Sequence, residues 1–334
     1  MELHQINTKL PFVCFGESRV GGRAENQDSF GYDDTAFGLL VTVCDGMGGG
    51  PGGKTASSIA VREIVNSVSE ASPDETPTNA VLKAIHKANR AVLDAAEEDP
   101  KLKGMGTTCT VLLINKESAV IAHVGDSRVY QLRGHRKVFR TFDHSMVFGL
   151  VKEKVITEEQ ARLSEQSNII TRALGLKPEL EIDCVECPYE KGDRFMLCTD
   201  GIHGTMPEQE LIKRATEDKN VGQTVDNLAT FVDGEGRKNG GGHDNLTLAI
   251  IETQNNSTLK EKMSKQNKII LIGIAALLVA SCILNITQHS RIVKTNKTEN
   301  AVMNDSIKFN DDSTSMDLIH NGKTYHYNLQ TENN

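Results

Sequence analysis

Three apolar runs in this chain each stop abruptly on an aspartate. Leu39-Leu40-Val41-Thr42-Val43-Cys44 ends at Asp45, Ile121-Ala122-His123-Val124-Gly125 at Asp126, and Phe195-Met196-Leu197-Cys198-Thr199 at Asp200. Asp244 precedes a fourth run, Leu246 to Ile251, and Asp28 leads into Ser29-Phe30-Gly31. Short aliphatic and β-branched runs bounded by turn residues predict buried strands, so each carboxylate is delivered to a strand end. One Asp-Gly pair is ordinary turn chemistry. Aspartates at five strand ends between residues 28 and 244 have no common structural excuse. Carboxylates converge in a fold only where positive charge compensates them. Oxygen ligands, with no histidine or cysteine beside them at zinc spacing, point to hard divalent cations, Mg²⁺ or Mn²⁺.

Between these points hairpins alternate with helices. A short strand is expected over 12–15, and helices over 54–69 and 79–97, with Pro73 and Pro77 breaking the chain between them. Strands are expected over 105–114 and 119–124, over 129–132 and 138–142, and over 180–187 and 194–199. Residues 146–164 are polar and helical in parts; helices follow over 207–217 and 221–231, then a glycine-rich loop over 234–242. Hairpins interleaved with paired helices argue for an α+β fold rather than a βαβ repeat. A net charge of −8 argues against nonspecific nucleic-acid binding, and a mean hydropathy of −0.35 is that of a globular chain with a sizeable core. Seven cysteines lie mostly inside apolar runs and read as small buried hydrophobes. The lone pair Cys184 and Cys187 lacks the helix start or second pair that redox or zinc chemistry needs, so a reduced compartment is expected.

Arg23-Ala24-Glu25-Asn26-Gln27-Asp28, Asp45-Gly46-Met47-Gly48-Gly49, Gly106-Thr107-Thr108, Gly125-Asp126-Ser127-Arg128, Thr199-Asp200-Gly201 and Asp244-Asn245-Leu246-Thr247 occur in this order. The ordered series resembles the metal-dependent protein phosphatases of the protein phosphatase 2C type, in their bacterial form, over about residues 10–253. Asp143-His144-Ser145 and Ile170-Thr171-Arg172-Ala173-Leu174-Gly175 resemble two further blocks of that family. The resemblance implies two packed antiparallel β-sheets flanked by pairs of helices, with 146–164 at the position of the family's flap. It implies hydrolysis of phosphoserine and phosphothreonine monoesters in proteins by a metal-bridged hydroxide, opposing serine/threonine kinases in signalling. Two cations about 3.5–4 Å apart would activate water and neutralise phosphoryl charge.

By the same resemblance Asp45 bridges the two Mn²⁺ or Mg²⁺ ions and the Gly46 carbonyl serves one of them. Asp200 and Asp244 complete the other, Asp28 acts through water, and Asp126 with Asp200 holds a third, weaker ion. Arg23 resembles the family's phosphate-binding arginine; a guanidinium grips two phosphate oxygens at once. Thr107 and Thr108 are expected to pack and hydrogen-bond the metal-bearing strands, and His123 to be a core histidine. Met47 stands where the animal enzymes carry the leaving-group acid, which leaves that role open among metal-bound water, His144 and His203. Gln27 replaces a common glutamate and predicts weaker affinity for one ion. Two alternatives remain open: a catalytically inactive module that docks phosphoproteins at a membrane, and a phosphatase of small phosphate metabolites.

Residues 1–253 are thus expected to form the phosphatase domain, followed by a polar, basic linker over 254–268. Residues 269–286 carry no charge and would span about 27 Å as a helix, enough for a bilayer core. The alternative is a buried core helix, but the run is apolar on all faces and has polar flanks. The start, Met1-Glu2-Leu3-His4-Gln5, lacks the basic and apolar regions of a secretory leader. The expectation is therefore a single-pass cell-membrane protein with its catalytic domain in the cytoplasm and its tail outside. Residues 287–334 are expected to be mostly disordered, apart from a hairpin signal at Asn321-Gly322.

Overall fold

The structure, a computed structural model, describes residues 3–48 and 52–258 and the backbone of 306–309, 315–320 and 323–328. The chain divides into two compact units, Met1–Lys262 and Met263–Asn334. In the first, β1 (His4–Gln5), β2 (Phe12–Arg19), β3 (Ser29–Thr35), β4 (Gly38–Cys44) and β5 (Gly46–Met47) precede α1 (Gly52–Ser69) and α2 (Pro77–Glu98). Next come β6 (Gly106–Thr107), β7 (Cys109–Ile114), β8 (Ala119–Val124), β9 (Arg128–Arg133) and β10 (Arg136–Arg140), then α3 (Met146–Lys152) and α4 (Glu158–Arg162). The unit closes with β11 (Asp183–Cys187), β12 (Asp193–Cys198), α5 (Asp200–His203), α6 (Glu208–Glu217), α7 (Val221–Lys238) and β13 (Leu246–Thr253).

Two antiparallel sheets result, β1-β2-β13-β12-β9-β10 and β11-β8-β7-β4-β3, with β5 and β6 forming a short ribbon of their own. Strand alternation explains why the central runs are apolar at every position. Leu39, Val41 and Val43 of β4 enter the core between the sheets, together with Phe195 and Leu197 of β12 and Ala249 and Ile251 of β13. Leu40 and Cys44 point the other way, against Ala56, Ala60 and Ile64 of α1 and Val81, Ile85 and Val92 of α2. On the opposite sheet, Tyr130, Met196, Leu248 and Ile250 meet Leu211 of α6 and Val225 and Leu228 of α7. A strand buried on both faces cannot alternate in polarity, and that is the pattern these runs carry. The architecture is the α+β arrangement that the motifs imply, two antiparallel sheets with helices packed on their outer faces.

Several boundaries move for identifiable reasons. Pro77 begins α2 rather than breaking it, because Thr76 caps the helix by accepting the Asn79 N–H and proline is tolerated in the first turn. β2 extends to Arg19 because β13 pairs with it along its whole length. The glycine-rich stretch expected as a loop is partly helix: α7 runs to Lys238 through Gly234 and Gly236, aided by the Asp233–Arg237 ion pair one turn apart. Cys184 and Cys187 pack against different clusters on either side of β11, which separates their thiols.

In the second unit, β14 (Ser306–Phe309), β15 (Ser315–His320) and β16 (Lys323–Asn328) form an antiparallel three-stranded sheet. His320 pairs with Lys323 across the Asn-Gly signal. Residues 269–286 lie outside the described residues; among the described residues no helix is long and apolar enough to cross a membrane.

Candidate active site

Strand register gathers the aspartates. Ser29 pairs with Cys44, so Asp28 and Asp45 lie side by side at one end of their sheet. Cys109 pairs with Val124, bringing the Asp126 turn alongside, and Cys198 pairs with both Arg128 and Leu248, bringing Asp200 and Asp244 to the same end of the other sheet. The cleft there, about 530 Å³, is lined by Asp45, Gly46, Asp126, Asp200, Asp244 and Arg23. Asp28 sits a layer deeper and only 2% exposed; its Oδ2 accepts a 3.0 Å hydrogen bond from Thr199.

At Asp45 the sheet ladder is interrupted by design of the sequence. The Asp45 N–H donates to the Thr108 hydroxyl at 2.9 Å, while the Asp45 carbonyl accepts from the Thr108 N–H and the Thr107 hydroxyl, each at 2.8 Å. Two threonine hydroxyls thus hold the backbone of Asp45 in place of a regular pair, the structural role expected of them. Glycine follows because nothing larger fits: a Cβ at Gly46 would lie 2.0 Å from the Gly53 carbonyl and 2.6 Å from that of Gln27.

The electrostatics are those of crowded anions. Burial, then the charges of Asp28, Asp200, Asp126 and Asp244, push the Asp45 carboxyl well above the ordinary range. Burial and Asp200 do the same to Asp126; burial and Asp244 raise Asp200, which a hydrogen bond with Asp45 partly offsets. Burial pushes Asp28 up to about 7 against the hydrogen bonds of Thr247 and Thr199. Oδ1 of Asp28 and Oδ1 of Asp200 are buried without a hydrogen-bond partner. Buried, unpaired carboxylate oxygens beside like charges are a set that hard cations complete.

Neither histidine expected as a leaving-group acid lines this cleft. His203 is buried, donates from Nε2 to the Asp126 carbonyl at 3.0 Å, and is driven well below the usual imidazole range by burial and then Arg128. His144 accepts the Gly125 N–H at Nδ1, 3.1 Å away, and presents Nε2 to Asp183 at 3.3 Å. His123, His144 and Asp183 bring potential ligand atoms within 4.8 Å of one another. A backbone N–H can only donate, so His144 Nδ1 carries the lone pair; Nε2 faces the donor Arg172 Nη1 at 3.2 Å as well as Asp183, so neither ring nitrogen is open to a metal. His123 is a satisfied core histidine whose Nε2 meets the Phe142 carbonyl at 3.0 Å.

Two contributors lack any local sequence signal of their role. Asn245 accepts the Gln27 N–H at 2.8 Å and donates to the carbonyls of Val20 and Glu25, pinning the loop that carries Arg23. Asn168, from the stretch between α4 and β11, lines the cleft opposite. Arg23 itself is exposed, its Nη2 3.0 Å from Asp244 Oδ2.

The family described as Protein phosphatase 2C matches residues 15–239. The chain is 32% identical over 234 residues to the serine/threonine phosphatase stp of Listeria monocytogenes, covering 69% of this chain and 91% of that protein. It superposes on the crystal structure of the Mycobacterium tuberculosis serine/threonine phosphatase PstP/Ppp with a TM-score of 0.65 and 28% identity, over 73% of this chain and 99% of the other. A structure of the PstP catalytic domain in complex with two manganese ions gives a TM-score of 0.61 at 28% identity, covering 72% and 97% of the two chains.

Proposed function

The chain belongs to the protein phosphatase 2C family, and from that premise we propose how its own residues carry the reaction. It is a metal-dependent serine/threonine protein phosphatase, and phosphoproteins are its substrates. Asp45, the Gly46 carbonyl, Asp200 and Asp244 would hold two Mn²⁺ or Mg²⁺ ions; Asp126 with Asp200 would hold a third, and Asp28 would act on the first pair through water. When bound, the ions supply water activation near neutral pH and charge neutralisation on the phosphoryl group. The observation that carries this assignment is the convergence of these aspartates, from separate strand ends, on one cleft with orphaned buried oxygens.

Arg23 binds the phosphate. It leaves Asp244 for two phosphoryl oxygens, a planar fork that a lysine does not match. Thr107 and Thr108 hold the Asp45 backbone, and Thr199 orients Asp28. His203 and His243 line an adjoining pocket but spend Nε2 on the Asp126 carbonyl and on Asp233, so a water in the cleft protonates the leaving serine or threonine oxygen. The full chain with a phosphothreonine peptide, with and without Mn²⁺, and beside Asp200→Asn, tests the assignment. Metal-dependent phosphate release that Asp200→Asn abolishes is expected; equal release by the variant overturns it.

The chain opposes serine/threonine kinases from a membrane. The uncharged run 269–286 anchors it there, with the phosphatase unit on the cytoplasmic side; the run's length supports the anchor, and the lysines at 260, 262, 265 and 268 before it, against Arg291, Lys294 and Lys297 after it, give a slight bias to that orientation. Protease protection of the 287–334 segment in sealed membranes, against digestion of the phosphatase unit from the cytoplasmic side, tests the topology.

A further inference from the structure

The Gly125–Arg128 turn carries Asp126, and each of its residues is tied down separately. Arg128 makes a two-pronged bond to Asp143, with both N···O distances 2.7 Å. The Ser127 hydroxyl meets that of Thr108 at 2.7 Å, and the Asp126 carbonyl accepts from His203. Gly125, with φ of +101°, is gripped twice by one residue: its carbonyl accepts the His144 N–H at 2.9 Å, and its own N–H donates to His144 Nδ1 at 3.1 Å. The β7–β8 pairing ends at Val124 opposite Cys109, so the buried Gly125 N–H lies beyond the ladder and would lack this partner without the imidazole.

We propose that His144 is a positioning residue for the phosphatase reaction: its Nδ1 lone pair, held in that tautomer by Asp183, sets the turn that presents Asp126 to the cleft. The tautomer has a visible cause. Asp183 Oδ2 lies 3.3 Å from Nε2 and takes its proton as a hydrogen bond; Arg172 Nη1, 3.2 Å from the same Nε2, turns its own N–H to Asp183 Oδ1 at 3.1 Å, so the carboxylate is what lets the two donors stand side by side. His123 stacks on the ring with centroids 4.4 Å apart and an interplanar angle of 21°, fixing its plane. Were Nδ1 to carry the proton instead, it would face the Gly125 N–H donor to donor. The Asp143-His144-Ser145 and Ile170–Gly175 blocks, which touch neither the cleft's carboxylates nor Arg23 in the contacts above, acquire a shared task. One supplies the clamp, and the other supplies the arginine that orients its carboxylate.

The inference rests on Asp126 holding an ion, and its test separates the two. In the full chain labelled with ¹⁵N-histidine and ¹⁵N-glycine, His144 is expected to show an unprotonated Nδ1 and a protonated Nε2. The reverse tautomer overturns the proposal whatever Asp126 does. Asparagine places its carbonyl oxygen where Nδ1 stands, and glutamine places its own nearer Nε2. His144→Asn should keep the Gly125 amide resonance, the weakest Mn²⁺ binding step in calorimetry and kcat within about twofold of wild type. His144→Gln should shift that resonance, weaken the same binding step by about tenfold and lower kcat, with KM for a phosphothreonine peptide unchanged. Equal behaviour of the two variants sinks the clamp. Asp126→Asn should remove the same binding step; if it does not, the ion assignment fails, and the tautomer and Gly125 resonance still decide the clamp. Asp183→Ala, an exposed change that spares the core, should raise the Nδ1-protonated population; an unchanged tautomer counts against the proposal.

Discussion

Arg23 Nη2 donates to Asp244 Oδ2 across 3.0 Å, at the mouth of a cleft that otherwise holds only negative side chains among its charged described members besides Arg23 itself. Both side chains are substantially exposed, 53% and 41%, so the pair contributes little to folding. Arg23→Lys should therefore leave the urea midpoint unchanged. It should lower kcat/KM on a phosphothreonine peptide by about tenfold, ~1.4 kcal/mol, mainly through KM, since the two-pronged phosphate grip is lost. An unchanged KM would remove Arg23 from substrate binding.

Thr108→Val keeps the volume at a site that is 2% exposed but deletes the acceptor for the Asp45 N–H and the partner of Ser127. Leaving that buried donor unsatisfied should cost about 1–3 kcal/mol in urea denaturation. Mn²⁺ affinity should fall with it, as Asp45 loses its backbone anchor. Thr108→Ser, which keeps the hydroxyl, should restore most of both.

Asp45→Asn separates stability from activity. Burial and four neighbouring carboxylates all disfavour its charge, so without metal the variant should be more stable than wild type by on the order of 1 kcal/mol. Phosphatase activity should vanish, and the rise in Tm that Mn²⁺ produces in wild type should shrink. Thermal melts with and without Mn²⁺ read both signs together.

Burial, then the charge of His144, lowers His123 to about 4, against about 6.5 for the unfolded chain. Between those values only the unfolded chain binds the proton. The stabilisation is complete above pH 6.5 and is lost as pH falls toward 4. His123→Gln keeps a donor for the Phe142 carbonyl, and it should flatten the fall in unfolding free energy across that window by up to one proton. His203 and His144, lowered mainly by burial, leave a residual slope of the same sign.

Gln27 lines the cleft as an uncharged amide. Gln27→Glu adds a negative charge beside the ions and should tighten Mn²⁺ binding; equal affinities in calorimetry would show that the amide carries no cost.

Asp45, Asp126 and Asp200 were legible in sequence because each ends an apolar run, in the first case one whose character is enforced on both faces, as at Val43 and Cys44. The same chemistry hid other parts. Thr76 and Pro77 form a helix start that reads as a break when the proline is weighed alone. Gly234 and Gly236 look like loop residues, yet α7 packs Val232 in the core and pairs Asp233 with Arg237, which outweighs their poor propensity. The tasks of His144 and Asn245 depend on backbone groups far away in the chain, Gly125 in one case and Val20, Glu25 and Gln27 in the other. No local pattern encodes such partners.

The pairing of β2 with β13 has a consequence for biosynthesis. From Phe12 opposite Thr253 to Arg19 opposite Leu246, the earliest long strand has as its main neighbour the last strand of the unit. While a ribosome is still extending the chain short of residue 246, that early strand has only the two-residue β1 beside it, and Asp244 has scarcely emerged. Such a nascent chain completes its six-stranded sheet, and first becomes competent to load metal, only after nearly the whole unit has been translated.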